Sequence, residues 1–136
     1  MQQFLPSCEA TEQIGGSLYQ TLPAKCLVFL HGDLGAGKTT LVRGFLRAAG
    51  HKGTVKSPTY NLVEEYHLAG KTIYHFDLYR LKDPEELEWI GINDYLSQEA
   101  VCFIEWPEQG RKYLPKPDIS ITLTAQQEGR RLEILK

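Results

Sequence analysis

The sequence predicts a three-layer α/β fold, helices on both faces of a mixed parallel and antiparallel sheet, and three observations lead there. The apolar runs "CLVFL" and "VCFI" have strand length and no polar alternation, as strands buried on both faces of a sheet do. Segments with apolar residues at helical spacing lie between such runs. Two further stretches alternate around short turns, the signature of antiparallel hairpins. With 136 residues, 42% of them hydrophobic, the chain can build one packed core and is too short for two. Residues 1–136 are therefore expected to form one domain.

Taken in order, "PSCEATEQIGGSLYQTL" predicts a helix with Ser7 as its N-cap and Ala10, Ile14 and Leu18 along one face. Gly15 and Gly16 oppose a helix by propensity, and the reason expected for them is close contact with another helix. A buried strand follows at Cys26 to Leu30, then a glycine-rich loop, then a helix in "TTLVRGFLRAAG". Its Leu41, Val42, Phe45, Leu46 and Ala49 share one face, Arg43 and Arg47 another, and Gly50 ends it. "TYNLVEEYHLAGKTIYHFDLYRL" reads as two strands around a turn at Ala69-Gly70. "KDPEELEWIGINDYLSQ" opens with Asp83 as N-cap, Pro84 in the first helical position and Glu86 in the capping-box position, and Gly91 divides the helix. Val101 to Ile104 is the second buried strand, stopped by Pro107. "DISITLTAQQEGRRLEILK" alternates around a turn at Gln126 to Gly129, as a terminal hairpin does.

The chemistry is concentrated in "HGDLGAGKTT", residues 31 to 40. Gly32-Asp33-Leu34-Gly35-Ala36-Gly37-Lys38-Thr39 fits G-x-x-x-x-G-K-[ST], the phosphate-binding P-loop, and it has the strand before it and the helix after it that the motif requires. Backbone N–H groups at the start of the helix point at phosphate oxygens, and glycines keep side chains out of the way. Lys38 is expected to neutralise the β- and γ-phosphates, Thr39 to ligate Mg²⁺ through its hydroxyl, and Thr40 to complete the set. The fold expected is thus that of a P-loop NTPase.

Hydrolysis or transfer also needs an acid at a strand's end. Asp77 closes "TIYHF" and Glu105 closes "AVCFI", both where ligands of open α/β sheets gather. The residues alone do not decide which holds the metal and which acts on water. Thr59, in "KSPTYN", is the candidate to sense a γ-phosphate. His75 shares a strand face with Asp77, but no third ligand with sensible spacing follows, and a hydrogen-bonded histidine is the better reading. Trp106 either packs against the site or fills the sheet's edge.

A net charge of −2 argues against tight, autonomous binding to a nucleic-acid backbone. The average hides a pattern: Leu34 to Val63 holds five basic residues and no acid, whereas Glu64 to Glu108 holds eleven acids against three basic residues. The positive block surrounds the glycine loop, where an anion is welcome, and Arg43 to Lys56 is where any nucleic-acid contact would fall. Cys8, Cys26 and Cys102 lack metal-ligand spacing and read as thiols of a reducing compartment. With no basic, apolar leader and no run of about 18 apolar residues, the expected location is the cytoplasm, with no membrane association. No Asn-Lys-x-Asp element for guanine is present, so ATP is the expected nucleotide. A small-molecule kinase and a nucleotide-switched interaction module are the rival readings.

The combination "GDLGAGKTT", "VKSPTYNLVEEY", "YHFDLYRLKDPEELEWIGINDY" and "IEWPEQG", spanning roughly residues 28 to 110, closely resembles the TsaE (YjeE) family. The resemblance implies a Mg²⁺-dependent ATPase of threonylcarbamoyladenosine synthesis at adenosine 37 of tRNA. TsaB and TsaD are its implied partners, TsaC acts upstream, and contact with tRNA is indirect or weak. By position it implies phosphate binding by Gly32 to Thr39, Mg²⁺ service by Thr39 and Glu105, a hydrolytic role for Asp77 and a switch role for Thr59. Arg130 falls near a basic position close to the nucleotide, where Arg131 competes for the match. Cys8 stands where relatives approach the base with a polar residue.

Overall fold

The computed structural model describes residues 1–58 and 62–136. Its elements are β1 (Gln2–Leu5), α1 (Cys8–Thr21), β2 (Cys26–His31), α2 (Lys38–Ala48), β3 (Val63–Leu68), β4 (Lys71–Asp77), α3 (Glu86–Trp89), α4 (Ile92–Leu96), β5 (Ala100–Glu105), β6 (Ile119–Gln126) and β7 (Gly129–Leu135), with a 3-10 segment at Pro107–Tyr113. The seven strands of the described residues form one sheet in the order β1-β7-β6-β2-β5-β4-β3. Pairs β6/β2, β2/β5 and β5/β4 are parallel, and β1/β7, β7/β6 and β4/β3 are antiparallel. The α/β class and the mixed sheet are as the sequence predicts, with hairpins closing both edges of a parallel centre.

Strand periodicity sorts the core into two halves. Val28, Leu30, Ile73, Val101 and Phe103 pack with Leu41, Val42 and Phe45 on the face covered by α1 and α2. Phe29, Tyr74, Phe76, Cys102 and Ile104 pack with Leu87 and Ile92 of α3 and α4 on the other. Each fully buried side chain of this size contributes about 1.5–3 kcal/mol of transfer free energy.

Helix α1 begins as expected, with the Ser7 hydroxyl accepting the Ala10 N–H at 3.1 Å. Gly15 and Gly44 let α1 and α2 approach closely: a Cβ on Gly15 would meet the Leu41 carbonyl, and one on Gly44 the Glu12 carbonyl. The expected helix contact is therefore real for Gly15, with Gly44 as its other half, but not for Gly16, where a Cβ would meet only the Ala48 side chain at an ordinary 3.9 Å. Ala69 and Gly70, with φ of 53° and 75°, make the expected β3–β4 turn. Three details differ from expectation. A first strand, β1, pairs with β7 at the sheet edge. The buried strand after α4 extends one residue at each end, to Ala100 and Glu105. The helix expected from Asp83 starts at Glu86, because the first turn after Pro84 closes with tighter i to i+3 bonds such as Leu87 N–H to the Pro84 carbonyl. The capping box still forms there: Glu86 Oε2 accepts the Asp83 N–H at 3.1 Å.

Candidate active site

Parallel strands β2, β4 and β5 end side by side, with Asp77 and Glu105 in register. Residues 31 to 38 turn from β2 into α2 over three glycines at positive φ, 148° at Gly32, 78° at Gly35 and 105° at Gly37, a backbone path that side-chain-bearing residues rarely adopt. The first bond of the helix runs from Leu41 N–H to the Gly37 carbonyl at 3.0 Å. The N–H groups of Lys38, Thr39 and Thr40 then have no hydrogen-bond partner among the described residues and mark the positive end of α2.

A cavity of about 620 Å³ opens over this end. Leu34, Gly35, Gly37, Lys38, Thr39 and Thr40 form its floor. Asp77, Tyr79, Arg80, Glu105 and Trp106 supply one wall, and Ser7, Cys8, Thr11, Gly129 and Arg130 the opposite one. Gly32, Asp33 and Ala36 lie behind it, along a smaller cleft of about 230 Å³ against β6. Thr59 lies outside the described residues.

Charge at the site is tightly organised. Lys38 is only 4% exposed, donates to the Gly32 carbonyl at 2.5 Å and sits 3.9 Å from the centre of the Trp106 ring. Burial pushes its pKa below the ordinary lysine value, against the opposing pull of Glu105, Asp77, Glu108 and Asp33. Glu105 is 3% exposed; its Oε2 accepts from the Thr39 hydroxyl at 3.0 Å and lies 2.6 Å from His75 Nε2. Burial works to raise the Glu105 pKa, but the bond and charge of His75, the Thr39 hydroxyl and Lys38 outweigh it and hold the carboxyl below its ordinary value. Asp77 accepts from Ser57 through Oδ2 and from the Tyr79 N–H through Oδ1 at 2.9 Å.

Arg130 crosses from β7 to the loop, donating from Nε to the Ala36 carbonyl at 2.7 Å and from Nη2 to the Gly35 carbonyl at 2.9 Å. Between the two arginines, it is Arg130 that reaches the loop; Arg131 instead donates to Gln2. Arg43 is paired with Glu12 at 2.7 Å, and Arg47 donates to the carbonyls of His51 and Gly53, so both serve local structure.

Sequence reasoning left two contributors aside, Ser57 and Tyr79. Ser57 links the site to the segment after α2, but a serine before proline reads equally as a plain turn. Tyr79 stacks beside Trp106, ring centres 4.9 Å apart, which resolves the open choice for Trp106 toward packing on the site. His75 is the hydrogen-bonded histidine expected, with Glu105 as its partner.

Among the described residues, no cluster of three His, Cys, Asp or Glu side chains able to hold a metal is found. What is found is one hydroxyl and two carboxylates beside a phosphate-type loop, a donor set suited to a hard cation that draws its other ligands from a polyphosphate and water.

Residues 5–132 match the family model described as "Threonylcarbamoyl adenosine biosynthesis protein TsaE". The chain belongs to the TsaE family. TsaE relatives include the tRNA threonylcarbamoyladenosine biosynthesis protein TsaE of Haemophilus influenzae, 58% identical over 109 residues that cover 80% of this chain and 69% of the relative. The TsaE protein of Rickettsia conorii is 40% identical over 129 residues, 94% of this chain and 73% of the relative. Among solved structures, Bacillus subtilis YdiB superposes with a TM-score of 0.82 at 26% identity, covering 97% of this chain and 82% of that one. The TsaE fold therefore carries the cavity described above.

Proposed function

We propose that the protein is a Mg²⁺-dependent ATPase acting in threonylcarbamoyladenosine modification of tRNA; the names of its relatives support the pathway, and the site's geometry supports the ATPase reading. The observation that carries the ATPase reading is the convergence of Lys38, Thr39, Asp77 and Glu105 on one cavity over the positive end of α2. A volume of about 620 Å³ suits a nucleotide, lying within the roughly 300–1,000 Å³ usual for ligand sites.

In this reading the loop's N–H groups hold the phosphates, Lys38 sets its charge against the β- and γ-phosphoryl oxygens, and Arg130 keeps the carbonyls of Gly35 and Ala36 turned to itself. Thr39 and Glu105 would hold Mg²⁺, which supplies charge neutralisation to the phosphate oxygens. Asp77, anchored by Ser57 and the Tyr79 N–H, orients the attacking water; the water oxygen bonds to the γ-phosphorus as the bond from that phosphorus to the ADP oxygen breaks, and the water's proton passes to the phosphate released. The wall formed by Cys8, Thr11 and Gly129 receives the nucleoside. Gly32, Asp33, Leu34 and Ala36 shape the loop, and Thr59 keeps its proposed switch role.

The proposed partners are TsaB and TsaD, with TsaC supplying the activated threonylcarbamoyl group. The buried free thiols Cys26 and Cys102 suit a reducing cytoplasm, and no helix of the described residues is long and apolar enough to cross a membrane. Residues 1–136 are proposed to act as one domain.

The deciding experiment is threonylcarbamoyladenosine formation on tRNA by purified TsaB, TsaC and TsaD, with the protein or its Lys38→Ala variant added. Multiple-turnover product that needs intact Lys38, with ATP affinity lost and the melting temperature kept in the variant, is the expected result. Equal product with the variant, or with nothing added, would overturn the proposal.

A further inference from the structure

His75 is wholly buried, in the middle of β4, on the sheet face that packs against α2. Its strand neighbours Ile73 and Phe103 on that face are core hydrophobics. One ring nitrogen, Nε2, lies 2.6 Å from Glu105 Oε2; the other, Nδ1, has no hydrogen-bond partner among the described residues. A buried polar atom without a partner costs about 1–3 kcal/mol, and an aromatic hydrocarbon side chain at this position would avoid it. The one polar contact of the imidazole among the described residues is thus the one at Nε2. A carboxylate oxygen only accepts, so with Glu105 as a cation-holding carboxylate the contact is made by an Nε2–H that donates.

The donors around Glu105 are unevenly placed. His75 at 2.6 Å, Thr39 at 3.0 Å and Ser57 at 3.5 Å all fall on Oε2, and no described residue donates to Oε1. The terminal torsion of a glutamate is broad and roughly two-fold, so the carboxylate plane is not fixed by its own rotamer. Of the three donors, Ser57 is closer to Asp77 and Thr39 belongs to the phosphate loop. His75 alone is enclosed in the sheet, away from any ligand.

We propose that His75 is a positioning residue, whose Nε2–H pins Oε2 of Glu105 and so presents Oε1 to a Mg²⁺-nucleotide in the cavity. This rests on the reading of Glu105 as a Mg²⁺-holding group. The arrangement is the reverse of the familiar carboxylate that orients a metal-bound histidine, and it follows the same logic of an outer group fixing a ligand's direction.

The test is calorimetric titration of the purified protein with ATP, in Mg²⁺ and in excess chelator, for wild type, His75→Ala, His75→Gln and His75→Asn. Loss of an outer-shell partner typically weakens metal affinity by about 10–100-fold, so His75→Ala should weaken Mg²⁺-ATP binding by about that factor and leave metal-free ATP binding within about twofold. His75→Gln, whose amide nitrogen can stand where Nε2 stands, should restore most of the Mg²⁺-dependent part; His75→Asn, too short, should not. If the alanine variant does not fold, the glutamine and asparagine pair decides. Equal losses with and without Mg²⁺, no loss at all, or glutamine no better than asparagine would overturn the role of His75. A wild-type protein that binds ATP equally with and without Mg²⁺ would instead remove the metal reading of Glu105, and this inference with it.

Discussion

Glu105 shows how a single ionisable group in a sheet core can be held charged. Burial alone would raise its pKa, and the fold answers with His75, Thr39 and Lys38. The sign of the consequence is fixed: a carboxyl with a lower pKa in the folded than in the unfolded chain favours the fold above the unfolded value of 4.5, and that contribution is lost as pH falls through the folded value. Urea unfolding of wild type and Glu105→Gln, from about pH 5 to about pH 3, should show a shallower loss of stability in the variant. Parallel curves would mean that the carboxylate is not selectively stabilised by the fold. Trp106 belongs to the same scale. It takes a positive φ of 57° immediately after Glu105, and this bend brings its ring over Lys38. A non-glycine residue in that region is strained, so the contact with Lys38 is held by the surrounding structure rather than by local preference.

Among the elements, α1 and α2 meet closely, because two glycines bring backbone against backbone. Gly44→Ala should destabilise the protein by about 1–3 kcal/mol, since the added methyl meets the Glu12 carbonyl and no flexible side chain can yield. Chemical denaturation measures it; an unchanged midpoint would mean that the helices can separate at little cost. The sequence made the partner of Gly15 predictable in kind, a helix, though not in identity, because residues far apart in the chain meet there. The long, periodic elements were legible for the same reason that they are stable: α2 and the buried strands commit many apolar side chains to one face. Strand β1 was not, because an edge strand of four residues with exposed Gln2 and Gln3 lacks both length and alternation. The glycine loop and the two strand-end acids were legible from spacing. Ser57 and Arg130's grip on the loop carbonyls were not, since each depends on a long-range contact whose partner carries no sequence signature.

At the scale of the whole molecule, the sheet order places the site. Strand β2 is flanked by β5 and β6, so its chain crosses over to reach β5, and the phosphate loop stands at the carboxyl ends of the parallel strands, where open α/β sheets take ligands. The three thiols report on this plan. Cys8 is exposed and lines the cavity, whereas burial pushes Cys26 up to about 11 and Cys102 up to about 12, each with a smaller contribution from neighbouring charge. A thiol reagent near neutral pH should therefore modify Cys8 alone in the native protein, since thiolate is the reactive form, and all three cysteines after unfolding. Mg²⁺-ATP should slow the Cys8 reaction in wild type and not in Lys38→Ala; mass spectrometry reads both. Modification of Cys8 at the same rate with and without nucleotide would place the nucleoside elsewhere.

The brace from Arg130 to Gly35 and Ala36 spans 95 and 94 positions of sequence. During synthesis on a ribosome, the glycine loop and α2 emerge long before β7 does, so the young chain carries its phosphate motif with the two carbonyls untied. The brace forms only when β7 has paired with β6 and entered the sheet. The braced form of the loop is thus completed only with β7, well after the strand and helix that flank the loop have emerged.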